Sequence, residues 1–304
     1  MELRLTREAL NRDIIQLAVP AVVENLLVTM VFFADALLIG WLKEPVSLAA
    51  VGLSSTFMWI ANGLFQAIAV GATALVARAW GAREFDKARN IGAQAILLGL
   101  VLGGVVMVVM WPLADDFLVL TGGEPAVVSQ GSLYLRLILL TSVFSFPQMV
   151  ISGIMRGAGD TRRPMQITLT MNVWNVVAAY ALIFGPGPLP AWRLAGAGAA
   201  TSSARMLGGC LSLFCIFSGR TVIRVEPRRL LRWDWHIIWR IVRLSLPNAG
   251  ETLIARTGHT LFYRIISALG TASLAAHQIA VRLESLSFMP GWGLTTAATT
   301  LVGQ

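Results

Sequence analysis

LAVPAVVENLLVTMVFFADALLIG, residues 17–40, decides the fold. Its only ionisable side chains are Glu24 and Asp35, and it sits inside an apolar segment running from about residue 14 to 41. A helix of ~20 apolar residues crosses the hydrocarbon core of a bilayer, so this segment reads as a membrane span. Seven further apolar segments follow, at about 50–79, 90–114, 128–155, 164–184, 194–218, 237–268 and 272–304. Several exceed the bilayer thickness, which tilt or extension past the membrane accommodates.

The whole composition agrees with that reading. Hydrophobic residues make up 56% of the 304, charged residues only 13%, and mean hydropathy is +0.70. A soluble domain carries roughly 25% charge. A soluble enzyme, a disordered chain and a secreted disulfide scaffold are excluded. Net charge is +8 and pI about 10.7. The basic residues fall in alternate connectors, which is the positive-inside pattern and not a nucleic-acid footprint. Arg4, Arg7 and Arg12, then Arg78, Arg83, Lys87 and Arg89, then Arg156, Arg162 and Arg163, then Arg220, Arg224, Arg228, Arg229 and Arg232 make fifteen on one side. The opposite connectors hold Lys43, Arg136 and Arg193. This places the N-terminus in the cytoplasm and the chain, as a multi-pass protein, in the inner (plasma) membrane.

The opening stretch has a second copy. LAVPAVVE at 17–24 matches LSLPNAGE at 244–251, so Leu17, Pro20 and Glu24 recur as Leu244, Pro247 and Glu251. Further on, SLAAV at 47–51 matches SLAAH at 273–277, and ATALVAR at 72–78 matches ATTLVGQ at 298–304. A unit of six spans is even in number, so its copy enters the membrane from the same side. The repeats are parallel, a plan common among transporters, with the substrate site between the halves. The domain expectation is a first six-helix lobe over 1–220, a cytoplasmic amphipathic linker over 221–236 and two helices of a second lobe over 237–304.

Three stretches carry a resemblance to a known family. They are PAVVENLLVTMVFFADALLIGWLKEPVSLAAVGLS from Pro20, MRGAGDTRRPMQITLTMNVWNVVAAYALIFG at 155–185, and LGTASLAAHQIA at 269–280. Together they resemble the multidrug and toxic compound extrusion (MATE) transporters, and the pattern is nearer the DinF-like branch than the NorM-like one. The resemblance implies an all-α integral membrane fold of twelve helices in two lobes. It also implies export of amphipathic organic compounds in exchange for protons or sodium ions.

Asp35 is the strongest single signal. A carboxylate inside a span costs several kcal/mol unless it takes a proton, pairs or meets a wet cavity. The family places a coupling Asp at this point of its first helix. By helical rise, Asp35 lies roughly 9 Å, Asn175 roughly 13 Å and Thr201 roughly 12 Å from the outer ends of their spans. Matched depth makes these three the expected cation- or proton-coupling group. Asn175 and Thr201 also fit ordinary interhelical hydrogen bonding. Many family members carry an acid four residues after the helix-5 Asn, where this chain has Ala179. One carboxylate fewer favours a proton over sodium.

Glu24 and Glu251 are secondary intramembrane acids. Eleven residues separate Glu24 from Asp35, which returns within about 20° of the same helix face. A structural role beside Pro20 and Pro247 is the alternative for this acid pair. Pro20, Pro147, Pro247 and Pro290 permit bends. His277, near the start of the eighth segment, and His259 could each titrate near neutral pH, against which stands the reading of a satisfied helix-end histidine. AGAGAATSSA at 195–204 reads as a close-packing stripe. Trp59, Phe65, Phe144, Phe146, Met149, Phe288 and Met289 would suit a soft drug-binding lining, with none assigned individually. No catalytic residue, metal spacing, cofactor motif or ATP-binding loop is expected. The expected partners are a small organic substrate and the lipid bilayer, with neither nucleic acid nor ATP.

The sequence-based expectation is therefore a secondary antiporter working by alternating access, not an enzyme. The rivals are a lipid-linked oligosaccharide flippase of the same architecture and a non-transporting membrane fragment. A flippase cavity needs basic residues facing pyrophosphate, and within the first-lobe spans Arg205 is the exception to their scarcity. The repeat offset, 227 falling to 226 residues, predicts a second lobe that runs on for about 140 residues and four more spans. Sequencing past Gln304 checks this; a stop codon there in a functional transporter would refute it.

Overall fold

In the computed structural model, residues 7–185, 190–268, 280, 284, 288, 291, 294–295 and 298–304 are described. His277, Met289 and Pro290 lie outside them, as does the side chain of His259 on its helix. The described chain is helical throughout, without a strand. In chain order the helices are α1 (Arg7–Gly40), α2 (Pro45–Gly81), α3 (Phe85–Met110), α4 (Ala114–Leu120), α5 (Pro125–Leu140), α6 (Ser142–Gly157), α7 (Arg162–Phe184), α8 (Arg193–Ser218), α9 (Pro227–Leu230) and α10 (Trp235–Ala268). Residues 298–303 form a last helical stretch.

Five of these, α1 from Ile15, α2, α3, α7 and α8, are long and apolar enough to cross a bilayer. The segment expected as one span at 128–155 is instead the pair α5 and α6, bent by 50°. Proline does not set the bend, since Pro147 lies inside α6. The break falls at Thr141, whose N–H (3.1 Å) and hydroxyl (2.7 Å) both donate to the Ile138 carbonyl. A hydroxyl competing for that carbonyl tightens the turn and releases the ladder. The neighbouring α3 meets the break with Gly103, where a Cβ would stand 2.7 Å from the Ser142 carbonyl oxygen. Helix α4 was not anticipated. Its buried Ala114 and Leu118 pack on Leu135 and Leu139 of α5, and Asp115 pairs with Arg136 at 3.0 Å.

Tight packing joins α2 to α6. The Phe65 and Phe146 rings stack at 3.4 Å between centroids, both fully buried. Gly153 and Gly157 bring the α6 backbone onto Thr73 of α2. The small-residue stripe at 195–204 packs closely, as its composition suggests: Gly196 lies on the Leu182 carbonyl of α7 and Gly198 on Tyr134 of α5. Small residues let helix backbones approach where no hydrophobic gradient drives association.

The 221–236 linker is not a free amphipathic segment. Ile223 and Val225 are fully buried in the main core, and before α10 begins at Trp235 only Pro227–Leu230 is helical. Gln94 of α3 ties it down at two points, donating to the Arg232 carbonyl (2.6 Å) and accepting from the Asp234 N–H (3.0 Å). Beyond it, α10 lays Ile238, Ile241 and Ser245 against the bundle, with Ser245 meeting Gly71 of α2. Its later apolar side chains, Leu253, Ile254 and Ile265 among them, are exposed.

Two glycine substitutions should move stability in opposite directions. A Cβ at Gly157 would lie 2.7 Å from the Thr73 carbonyl oxygen, so Gly157→Leu should destabilise by about 1–3 kcal/mol. Gly104 faces open space, so Gly104→Ala should be neutral or stabilise by up to about 1 kcal/mol. Thermal unfolding in detergent reads both.

Candidate functional site

The polar groups carried by α1 find their partners on other helices. Asp35 is half-buried, and its Oδ1 accepts a hydrogen bond of 2.7 Å from Asn175 Nδ2 of α7. Asn175 is 3% exposed, and its own Oδ1 is buried without a partner. An orphaned acceptor beside a carboxylate is a place for a donor, a water or a cation, because burying it unmet costs free energy. Asn172, one turn earlier, donates to the Leu27 carbonyl at 2.5 Å and fixes α7 against α1.

Two residues outside the expected triad adjoin this pair. Arg205 of α8 and the phenol of Tyr134 of α5 lie within electrostatic reach of Asp35 and of each other, and Tyr134 packs in one cluster with Met58, Leu38 and Ala179. Tyr134 is buried, while Arg205 is half-buried and reaches Met58 Sδ of α2 at 4.0 Å. Thr201, one turn before Arg205, is half-buried and bonds to neither Asp35 nor Asn175. The structure thus brings Asp35 and Asn175 into contact, and among the described residues Thr201 makes no hydrogen bond to either. Ala179, the position where many family members have an acid, is 1% exposed in an apolar cluster with Leu38, Tyr134 and Ile183.

Glu24 has a different neighbour. Both its oxygens accept from Arg156 Nη1 of α6, at 3.0 and 3.1 Å, with side-chain exposures of 10% and 15%. Arg156 read in sequence as one more cytoplasmic cation of RGAGDT. Its pairing with an acid 132 positions away carried no local signal. Its backbone carbonyl also accepts from Thr300 Oγ1 at 3.1 Å, so the last helical stretch closes on the same point. Glu251, the repeat mate of Glu24, is exposed on α10 and makes no ion pair among the described residues.

A groove of about 530 Å³ runs between the ends of α1 and α7, lined by Ala34, Leu37, Leu38, Trp41, Val176, Val177 and Tyr180. It is apolar and adjoins the Asp35–Asn175 contact through Ala34 and Val176. Among the described residues no three His, Cys, Asp or Glu side chains come together as metal ligands would.

The MatE family profile matches residues 20–181 and 247–304. The chain belongs to that family. The family is one of transporters, not enzymes. A probable multidrug resistance protein NorM of Thermotoga maritima is 32% identical over 97% of the chain and 63% of its own length. The multidrug resistance protein PmpM of Pseudomonas aeruginosa is 28% identical over 96% and 61%. Among solved structures, a MOP-superfamily transporter from Pyrococcus furiosus matches with a TM-score of 0.86 at 26% identity, covering 96% of this chain and 64% of that one. It is described as having a binding pocket of reverse polarity that suggests a different function. An outward-facing multidrug resistance MATE transporter matches with a TM-score of 0.85 at 25% identity, over 95% and 63%. The chain spans less than two thirds of the length of these relatives.

The Glu24–Arg156 pair should behave as a buried ion pair. Arg156→Met alone leaves a carboxylate without its partner and should cost about 3 kcal/mol, while adding Glu24→Gln should restore most of it. Melting midpoints of the single and double variants give the comparison; equal midpoints would mean the pair is no more than a surface contact.

Proposed function

We propose that this protein acts as a secondary antiporter that exports amphipathic organic compounds in exchange for protons by alternating access. The carrying observation is the Asp35–Asn175 contact inside the first six spans, with Asn175 Oδ1 left as an unmet acceptor beside it. A carboxylate so placed is costly as a charge and cheap as an acid, so it loads and unloads a proton as the cavity alternates between the two sides. The multidrug names of the relatives and the apolar groove beside the pair support an amphipathic cargo.

Protonation of Asp35 removes the charge that Asn175 solvates. The hydrogen bond weakens, α1 is freed from α7 along this turn, and the two helices repack. Closing the groove between them expels what it holds. The apolar packing of Ala179 favours a proton over sodium, because a sodium ion needs several oxygen ligands at once and this wall supplies none at that position. The clustering of basic residues at the α2–α3, α6–α7 and α8–α10 connectors supports a cytoplasmic N-terminus in a plasma membrane.

Efflux of a fluorescent organic compound from expressing cells tests this. Export should collapse when the proton gradient is dissipated and survive removal of sodium. Asp35→Asn should abolish it with the protein still in the membrane. Sodium dependence at fixed pH, or a fully active Asp35→Asn variant, would overturn the reading.

A further inference from the structure

The charge inventory of the first six spans has an imbalance. Glu24 pairs with Arg156, and Asp115 with Arg136. Ala179 contributes no charge. What remains around the Asp35–Asn175 contact is one carboxylate and one guanidinium, Asp35 and Arg205. They do not form an ion pair. Asp35 gives Oδ1 to Asn175. Of the Arg205 nitrogens, only Nη1 has a hydrogen-bonding contact, the weak one to Met58 Sδ at 4.0 Å. Nε and Nη2 have no partner among the described residues, and each keeps some accessible surface.

An arginine inside a membrane bundle rarely goes without a partner, because its five N–H donors are expensive to leave unmet. Here three neighbouring helices supply the Met58 thioether, the Tyr134 phenol and the Asp35 carboxylate, one of whose oxygens is taken by Asn175. The local charge is zero with Asp35 ionised and positive with Asp35 protonated. At no stage of a proton cycle is it negative. A simple organic cation therefore finds no net attraction at this wall. A carboxylate finds a guanidinium with two free donors set in a low-dielectric surround, where a charge-assisted hydrogen bond is strongest.

We propose that Arg205 is a specificity-determining residue: it holds the anionic group of the cargo, so that the site takes amphipathic zwitterions and not simple cations. Asp35 meets the cationic end and Arg205 the anionic end. Proton loading of Asp35 removes one of the two poles and lets the compound go. The inference rests on the export reading above, since it assigns the cargo of that same site.

Three dyes on one ring system test it. Rhodamine 110 carries a free carboxylate beside its cationic ring, rhodamine 123 is its methyl ester and a plain cation, and fluorescein is the anion. Binding to the purified protein in detergent is read by fluorescence polarisation, with no gradient applied. Wild type should bind rhodamine 110 about tenfold or more tightly than rhodamine 123, the worth of a hydrogen bond to a charged group, and more tightly than fluorescein. Arg205→Met should erase the preference over the ester, and Arg205→Lys should keep most of it. A wild type that binds rhodamine 123 equally well or better, that fails to bind rhodamine 110, or whose dye ratio survives Arg205→Met overturns the proposal. The wild-type ratio decides even where Arg205→Met does not fold. The two readings fail separately. Proton-driven export that needs Asp35, together with a flat dye ratio, sinks only the role of Arg205. Export indifferent to Asp35 sinks the transport mechanism.

Discussion

A carboxylate carried into the hydrocarbon layer must be met there by other side chains, because lipid offers no hydrogen bond. That constraint organises the first six spans. Asp35 reaches Asn175, Glu24 reaches Arg156, Asn172 reaches the Leu27 carbonyl, and Ser202 donates to the Leu137 carbonyl at 2.8 Å. Each contact joins two helices that the sequence keeps apart. The polar residues that are most costly in lipid are therefore also those that fix which helices lie side by side.

Close approach makes those contacts reachable. A carboxylate on α1 meets an amide on α7 only if the backbones are held near, and glycine and alanine at the crossings allow it. Gly196 on α8 sits against the α7 backbone, and Gly153 and Gly157 on α6 sit against α2. The bent α5–α6 span follows the same logic. Its break is stabilised within the chain by the Thr141 bonds and accommodated outside it by Gly103. The bend and the glycine depend on each other, since a side chain at residue 103 would occupy the space of the Ser142 carbonyl.

The two carboxylates of α1 have different prospects although they lie on one helix face. Glu24 is closed in by a guanidinium that touches both its oxygens, an arrangement suited to holding α1 to α6. Asp35 is met by a neutral amide, with the nearest cation standing off. A neutral partner can tolerate both the charged and the protonated carboxyl. A contacting arginine would favour the charged form throughout. The second environment is the one that fits the proton-carrier role proposed for Asp35.

Much was legible in the sequence because it depends on local composition and period. Apolar runs of span length, the alternation of basic connectors, the Pro20/Pro247 repeat and the RGAGDTRRP stretch gave the membrane fold and the family. Asp35 stood out because a carboxylate in such a run is conspicuous by itself, and equal depth pointed from it to Asn175. Depth is only one coordinate. Rotation about each helix axis decides whether a residue at the right height faces its partner, and Thr201 has the height without a bond. The pairing of Glu24 with Arg156, the approach of Arg205 and Tyr134 to Asp35, the break at Thr141 and the burial of Ile223 and Val225 in the linker were decided only by tertiary structure. They are contacts between elements distant in sequence, and nothing in the local pattern of either element encodes the azimuth at which the other arrives.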